Sequence, residues 1–307
     1  MGTELGPLSE IDLAKGRFQE LPLSNLQSTI LPVVVMREHT VTLLGTAFNI
    51  APTGLFVTAK HVAEEALAIC SNEPRAWIAV VWMKSGAGYE DVPDLLGGQL
   101  PVRLIHANDF HDVALLQAAE LLENGHPVTF PALGIDTRVP PIGTAVMGIG
   151  YTKMDVHEHE NSPTARHVKA TQACYASHGE VTRVYPEGRD SVMIPFPAFE
   201  SSARFDPGMS GGPVFAEDTA KVCGVICTGV SGQSNSTEFV SFASMTINAL
   251  VLQVLINPQT NKSVRLYDLV QRDIVIADDN FARIRIVDDG EGEPFLTFPG
   301  GDPLSRC

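Results

Sequence analysis

Short apolar runs separated by turn residues recur along most of the chain. Runs rich in Val, Ile, Phe and Thr and bounded by Gly, Pro, Asn or Asp are typical of β-strands. The predicted strands cover residues 30–36, 41–44, 47–50, 55–58, 76–83, 100–105, 112–117, 139–150, 169–183, 191–195, 213–216, 222–230 and 238–244. Such a series, without a repeat of solenoid period, favours an antiparallel barrel or sandwich.

Helical patterns are few and short. Residues 61–70 are good helix formers and predict one short helix. Residues 245–256 carry apolar side chains at helical spacing and predict a C-terminal helix. Residues 8–26 could form a peripheral helix, and Ile274–Ala277 and Ala282–Val287, joined by an Asp-Asp-Asn turn, predict a hairpin near the C-terminus.

The composition of the chain indicates which classes of binding partner to exclude. The chain has 26 glycines and 21 prolines among 307 residues, in keeping with many turns between short strands. Its 36 acidic and 21 basic side chains give a formal charge of −15. Nucleic acids and anionic membrane surfaces attract basic proteins, so neither is expected to be a partner.

The cysteines indicate the compartment. Their number is odd, at positions 70, 174, 223, 227 and 307. Cys223 and Cys227 lie on one predicted strand, about 13 Å apart, which is too far for a disulfide. Free thiols in a reducing compartment are therefore expected, and a C-x3-C metal site is the alternative. No N-terminal signal peptide and no apolar stretch of membrane-spanning length is found, so we expect a cytoplasmic protein.

A polar, uneven run covers residues 153–168 and predicts a long solvated loop. His157, His159 and His167 lie in it, and a metal site built from these side chains is the alternative. We expect no cofactor and no bound metal.

Three stretches carry the candidate chemistry. The first covers residues 45–62 and predicts a strand, a turn and a second strand, with His61 at the end of the second strand. The second is His111-Asp-Val-Ala-Leu-Leu, which places Asp112 at the start of an apolar strand. The third, Asp-Pro-Gly-Met-Ser-Gly-Gly-Pro, places Ser210 in a tight glycine-rich turn. Each element alone could be a surface or turn residue; together, in this order, they predict a catalytic triad.

The chemistry explains why these residue types belong together. A serine hydroxyl becomes a good nucleophile when an imidazole accepts its proton, and a buried carboxylate fixes the tautomer of that imidazole. The backbone N–H groups of Gly208 and Ser210 are predicted to form the oxyanion hole. One such donor typically lowers the barrier by about 3 kcal/mol.

Chain order separates the competing hydrolase classes. Residues 208–212 formally fit the G-x-S-x-G elbow of α/β-hydrolases, but that fold places its histidine after the serine. The last histidine here is His178. A subtilisin order would need an aspartate before His61, and Asp12 is the only one. The order His61, Asp112, Ser210 is that of the two-barrel serine proteases.

The sequence resembles the chymotrypsin-fold, trypsin-like serine proteases, in particular the bacterial HtrA/trypsin-2 type of catalytic domain. Residues 45–62 resemble the Gly-Ser-Gly-Phe…Pro-x-Gly…Thr-x-x-His-Val pattern of that group, and residues 224–228 resemble its Gly-Ile-x-Thr strand. The resemblance implies an all-β fold of two antiparallel six-stranded barrels, with His61 and Asp112 on the first and Ser210 on the second.

The resemblance also implies a division of the chain. The protease domain is expected at 29–257, with one barrel at about 29–135 and the other at about 136–257. The flanking segments 1–28 and 258–307 are candidates for docking a regulatory partner, and the alternative is that they keep the enzyme latent.

Some positions depart from the family pattern. Met209 stands where secreted members carry an aspartate that pairs with a new N-terminus, and no activation site occurs near the start. Activation through a new N-terminal ion pair is therefore not expected. The C-terminal segment is too short for the PDZ domain of an HtrA protein.

The resemblance assigns the substrate-binding strand to Cys227, Thr228 and Gly229, which would pair with the peptide backbone. Arg204 would lie near the base of the specificity pocket and favour an acidic side chain there. The alternative is that Arg204 turns outward or closes a salt bridge.

The sequence therefore predicts a serine endopeptidase that hydrolyses proteins or peptides through an acyl-enzyme. The alternative is a catalytically silent barrel scaffold that acts as a protein-binding module.

Overall fold

The computed structural model describes most of the chain. The described residues are 17–21, 28–38, 40–84, 95–123, 126–159, 168–231, 239–257, 259–287 and 295–297.

Strands dominate these ranges. The strands are β1 (Phe18–Glu20), β2 (Ile30–Met36), β3 (Val41–Ala51), β4 (Leu55–Thr58), β5 (Trp77–Lys84), β6 (Leu95–Ala107), β7 (Ala114–Ala118), β8 (Leu122–Glu123), β9 (His126–Pro127), β10 (Ala145–His159), β11 (Val168–Tyr185), β12 (Ala198–Ser201), β13 (Pro213–Ala216), β14 (Lys221–Ser231), β15 (Phe239–Met245), β16 (Gln253–Asn257), β17 (Lys262–Arg265), β18 (Arg285–Val287) and β19 (Phe295–Thr297). The helices are α1 (Lys60–Asn72), α2 (Leu266–Gln271) and two 3₁₀ helices at Thr246–Val251 and Asp279–Arg283. No helix among the described residues is long and apolar enough to span a membrane.

The first barrel is a closed antiparallel sheet in the order β2-β3-β4-β7-β6-β5, and β5 pairs back with β2. Closure leaves no strand edge free to pair with another chain. All seven residues of β2 are buried, which explains its nearly continuous apolar sequence.

The second barrel closes in the same way, in the order β10-β11-β12-β15-β14-β13, with β13 paired to β10. Pairing of β11 with β6 joins the two barrels into one sheet. The expected all-β fold of two six-stranded antiparallel barrels is therefore confirmed.

The barrels share one hydrophobic core. Large, fully buried aromatic side chains fill it from both sides; they include Phe48, Phe56, Tyr151, Phe199 and Phe215. Burying each of these typically contributes about 1.5–3 kcal/mol relative to leaving it exposed. The hydroxyl of Tyr151 donates to the Ile30 carbonyl at 2.9 Å and so links β10 to β2.

The predicted short helix near residue 61 is present as α1, whereas the helix predicted over 245–256 is wrong. The segment forms a 3₁₀ helix over Thr246–Val251 and then strand β16, which pairs with β17. Every residue of the 3₁₀ helix is buried. Its apolar side chains therefore reflect burial on all sides of the segment and not one apolar face of an α-helix. The β16–β17 hairpin also crosses the expected domain limit at residue 257.

The hairpin predicted for 274–287 is also wrong. Residues Asp279–Arg283 form a 3₁₀ helix, and β18 pairs with β19 instead. The Ile276 carbonyl accepts a hydrogen bond from Ile135 N at 2.9 Å. The segment predicted as the first strand of the hairpin, Ile274–Ala277, is therefore bonded to Ile135, a residue far away in the sequence.

The solvated loop predicted for 153–168 is replaced by two long strands. β10 continues to His159 and β11 begins at Val168, and residues between them, including His167, lie outside the described residues. The pairing continues through Asp155 and Thr171. Met154, buried on this extension, packs in a small apolar cluster, which explains why the polar sequence still forms strands.

The peripheral helix predicted for 8–26 is not seen at Phe18–Glu20, which forms β1 and pairs with β11. The rest of that segment, residues 8–16 and 22–26, lies outside the described residues.

Candidate active site

His61 lies at the junction between the first barrel and helix α1. Strand β4 ends at Thr58, and Ala59 in extended conformation precedes the first turn of the helix. The N–H of His61 in that first turn donates to Asp112 Oδ1 at 3.0 Å. Asp112 lies just before β7, the strand that pairs with β4, so neighbouring strand ends bring the two residues together.

The imidazole and the carboxylate form a close pair. His61 Nδ1 lies 2.8 Å from Asp112 Oδ2, which leaves Nε2 as the free ring nitrogen. The Asp112 side chain is 9% exposed and the His61 side chain 45% exposed. Burial lowers the pKa of His61, but the hydrogen bond and charge of Asp112 outweigh it, so this pKa is raised above 6.5.

Ser210 lies in a tight turn that enters strand β13. Gly208 and Gly211 have φ of +90° and +85°, which glycine adopts most readily. Gly211 N–H donates to the Ile226 carbonyl at 2.7 Å, and Gly212 N–H donates to the Met209 carbonyl at 2.9 Å. The turn is thus fixed on both sides of the serine.

The hydroxyl of Ser210 donates to the backbone carbonyl of Cys227 at 3.0 Å. Within the described part of the chain, the N–H groups of Gly208 and Ser210 have no protein acceptor. Two free donors in one turn are what a developing oxyanion requires.

Thr46 connects the first barrel to this turn, a role that the sequence did not indicate. Its backbone N–H donates to the Ser210 carbonyl at 2.7 Å, and its hydroxyl donates to the Gly208 carbonyl at 2.9 Å. The same hydroxyl accepts from Tyr151 N–H at 2.9 Å. Only its position in the Gly45-Thr-Ala-Phe stretch could have drawn attention to it.

A pocket of about 510 Å³ contains all three predicted triad residues, and side chains from both barrels line it. The lining residues are Lys60, His61, Glu64, Asp109, His111, Asp112, Val192, Met193, Ile194, Pro195, Phe196, Ser210, Cys227 and Thr228. A concave site with a few convergent polar groups and an apolar wall is typical of a substrate cleft.

The apolar wall comes from the segment between β11 and β12. The strand predicted over residues 191–195 is wrong, because no strand forms in this segment, and the sequence did not indicate its place beside the cleft. Val192 and Met193 are 84% and 53% exposed. Asp190 Oδ1 accepts from the N–H groups of Val192 and Met193 at 2.9 and 2.6 Å, and these bonds lower the Asp190 pKa. A backbone fixed in this way presents two large apolar side chains beside the cleft.

The predicted substrate-binding residues are distributed unevenly. Cys227 and Thr228 line the pocket, whereas Gly229 follows them in β14, exposed and outside the lining. Arg204 does not line the pocket either, and its guanidinium makes a two-pronged pair with Asp206, at 2.7 Å for each bond. The salt-bridge alternative therefore describes Arg204, and no acidic specificity follows from it.

His111 is a buried neighbour of the pair. Only 2% of it is exposed, and neither ring nitrogen has a partner within the described residues. Burial lowers its pKa to about 4, although the charge of Asp112 acts in the opposite direction. His111 is therefore a neutral side chain at neutral pH.

The described cysteines, Cys70, Cys174, Cys223 and Cys227, are free thiols. Burial raises the pKa of all four, to about 12 for Cys174. Among the described residues no cluster of His, Cys, Asp or Glu could hold a metal ion. The side chains of His157 and His159, like His167, lie outside that description.

Comparison with known proteins gives one family match. The family model described as a trypsin-like peptidase domain matches residues 45–225, more than half of the chain. No curated protein sequence matches. Among solved structures, the HtrA-type protease AlgW with a decapeptide aligns with a TM-score of 0.47 and 15% identity. The alignment covers 75% of this chain and 66% of that one, so this chain spans just under two thirds of that structure.

Proposed function

Because the chain belongs to the trypsin-like peptidase family, we propose that it is a serine endopeptidase that hydrolyses protein or peptide substrates. Ser210 is the nucleophile, His61 is the general base and Asp112 orients and stabilises the imidazole. The observation that carries the proposal is the 2.8 Å pair of His61 and Asp112 in a pocket shared with Ser210.

The reaction begins when the Ser210 hydroxyl turns from the Cys227 carbonyl towards His61. Nε2 takes its proton while Oγ bonds to the carbonyl carbon of the substrate. The tetrahedral adduct collapses, its C–N bond breaks, and His61 gives the proton to the leaving amine. Water then attacks the acyl carbon and passes a proton to His61. The bond between the acyl carbon and Ser210 Oγ breaks, His61 returns the proton to Oγ, and the acid is released.

The negative charge on the tetrahedral adduct would be stabilised by the N–H groups of Gly208 and Ser210. Gly208 has no room for a side chain, because a Cβ there would lie 2.6 Å from the Tyr151 carbonyl oxygen. Its φ of +90° supports the same conclusion. The turn therefore holds its donors in place before a substrate arrives.

A fluorophosphonate probe tests the proposal directly. We expect wild-type protein to be labelled and Ser210→Ala to remain unlabelled, with His61→Ala labelled far more slowly. Equal labelling of wild type and Ser210→Ala would contradict the assignment of the nucleophile. Folded wild type that neither labels nor cleaves peptides would favour the silent binding scaffold instead.

The pH dependence of kcat/KM gives a second test. The reaction needs a neutral His61, and its pKa is raised above 6.5. Activity should therefore rise with pH through a midpoint above 6.5 and fall away on acidification. A profile without an ionisation between about pH 5 and 8 would exclude His61 as the base.

The free thiols support a further part of the proposal, namely a reducing, cytoplasmic location. The terminal segments are proposed as sites for a regulatory partner.

A further inference from the structure

The N-terminal strand β1 is fastened to the second barrel at both ends. Phe18 pairs with Ser177 in β11. His178 N–H donates to the Arg17 carbonyl at 2.7 Å, and Leu21 N–H donates to the Cys174 carbonyl at 2.8 Å. The strand is therefore built into the sheet and is not a loose extension.

The ring of Phe18 lies between two partners. It stacks on Tyr175 with ring centroids 4.7 Å apart and planes 10° apart. The Arg204 guanidinium lies over the Phe18 ring, 4.4 Å from its centroid. The same guanidinium is 5.5 Å from the centroid of the Phe239 ring. Contact with two aromatic rings restricts the guanidinium, and the closer ring, that of Phe18, favours the direction in which Arg204 points.

Arg204 in turn holds the residue that begins the serine turn. Its two-pronged pair with Asp206 fixes that side chain, and its own N–H donates to Ser177 Oγ at 2.8 Å. Asp206 accepts a hydrogen bond from Met209 N–H at 3.0 Å through its backbone carbonyl. The backbone segment closed by this bond contains Gly208, one of the two oxyanion donors.

Met209 adds a second connection to the same residue. Its side chain is completely buried, and its sulfur accepts from Asp206 N–H at 3.3 Å. Its Cα packs closely against Gly150, where an added Cβ would lie 2.7 Å away. The turn can therefore shift only if Asp206 and Met209 move together.

We propose that Arg204 is a positioning residue for the oxyanion donors and that β1 holds it in place through Phe18. This inference deepens the proposed function, since it states how the donors of the same site are kept in register. The N-terminal strand is then part of the catalytic unit.

The test uses Phe18→Leu and Arg204→Met in the full chain. The leucine keeps an apolar side chain on β1 without a ring, and the methionine keeps the length of Arg204 without its charge. Each should lower kcat for a peptide substrate by about tenfold and leave KM within about twofold, because the oxyanion donors act on the transition state. Glu20→Gln, an exposed change on the same strand, is the matched control and should match wild type.

Coupling between the two residues gives the sharper readout. If Phe18 acts through Arg204, the double variant should be no slower than Arg204→Met alone. Multiplied losses of kcat, or Phe18→Leu with wild-type kcat, would overturn the proposal. So would a rise in KM with kcat unchanged.

Hydrogen exchange separates this inference from the proposed function. The hydrogen-bonded amides of the turn, those of Met209, Gly211 and Gly212, should exchange faster in both variants, whereas amides of the first barrel other than Thr46 should not change. Unchanged exchange in this turn would overturn the inference even if the enzyme is active. Inactive, unlabelled wild type would refute the proposed function, and the exchange data would still decide whether β1 holds the turn.

Discussion

His111 shows how one buried side chain couples stability to pH. The unfolded chain exposes an imidazole with a pKa near 6.5, whereas burial lowers the pKa of His111 in the folded protein to about 4. The groups that face it have opposite effects, since Asp112 raises this pKa and Lys60 lowers it. Between these two pKa values the unfolded chain binds the additional proton, so acidification favours unfolding.

The contribution of His111 to the free energy of unfolding is complete above pH 6.5 and is lost as the pH falls towards 4. A shift of this size corresponds to about 3 kcal/mol. We expect His111→Leu to lose less stability than wild type between pH 7 and pH 4, measured by urea unfolding. The control His126→Gln changes an exposed histidine and should follow wild type. Parallel losses in wild type and His111→Leu would contradict this prediction.

Individual residues were predictable where a motif fixes the chemistry. His61, Asp112 and Ser210 could be proposed because a nucleophile, a base and a carboxylate must meet, and the structure brings them into one pocket. Thr46 could not, because its hydroxyl acts through the Gly208 carbonyl and the Tyr151 N–H, which are distant in sequence. A buried threonine in a strand is otherwise an ordinary core residue.

At the scale of elements, strands with a strong local pattern were predictable and segments held by distant partners were not. Strand β2 is apolar and buried throughout, and its sequence indicates this directly. Residues Thr246–Val251 are buried because α2 and the core surround them, so the apolar spacing over 245–256 suggested a regular helix that does not form. Residue Ala277 forms a bridge with Ile135, and nothing in its own neighbourhood reveals that partner.

The segment before β12 gives the prediction that belongs to this scale. Gly188, with φ of +90°, begins it, and Arg189 N–H donates to the Ile194 carbonyl at 2.8 Å. The exposed side chains of Val192 and Met193 therefore form a fixed apolar wall of the pocket. A substrate side chain that lies against this wall should be apolar.

Introducing a carboxylate into the wall should weaken substrate binding without affecting the chemistry. For Val192→Asp and Met193→Asp we expect KM for an apolar peptide to rise about tenfold with kcat nearly unchanged. Ile142→Asp is the matched control, since Ile142 is 69% exposed and does not line the pocket. Steady-state kinetics of the three variants decide the matter; an unchanged KM in both wall variants would mean that substrates do not contact this segment.

At the scale of the whole molecule, the two barrels are joined by more than the sheet. The C-terminal part of the chain contacts the first barrel, where the Gln117 side chain donates to the Leu255 carbonyl at 2.8 Å. Asp278 N–H donates to the Ile135 carbonyl at 3.1 Å, in the connection between the barrels. These contacts tie the C-terminal part, through Leu255 and Asp278, to the first barrel and to the connection between the barrels, and none of the residues 259–287 lines the pocket. The sequence of this part does not reveal these contacts, because the residues that it contacts are distant in the chain.

The hydroxyl groups of two buried residues, Thr46 and Tyr151, make hydrogen bonds across the barrels, and changing each in turn separates fold from catalysis. Thr46→Val removes a hydroxyl without changing the shape of the side chain, and leaves the Gly208 carbonyl and the Tyr151 N–H without their partner. Leaving such groups unpaired should cost about 2 kcal/mol of unfolding free energy. Because Gly208 carries an oxyanion donor, kcat should also fall, by about tenfold.

Tyr151→Phe is the matched control for that change. It removes the hydrogen bond to the Ile30 carbonyl, which also joins the barrels but does not touch the serine turn. It should lower the unfolding free energy by about 1 kcal/mol and leave kcat as in wild type. Urea unfolding and peptide kinetics on both variants test the pair. If both variants lost kcat equally, the active site would depend on how the barrels are joined as a whole, and Thr46 would have no special role in holding Gly208.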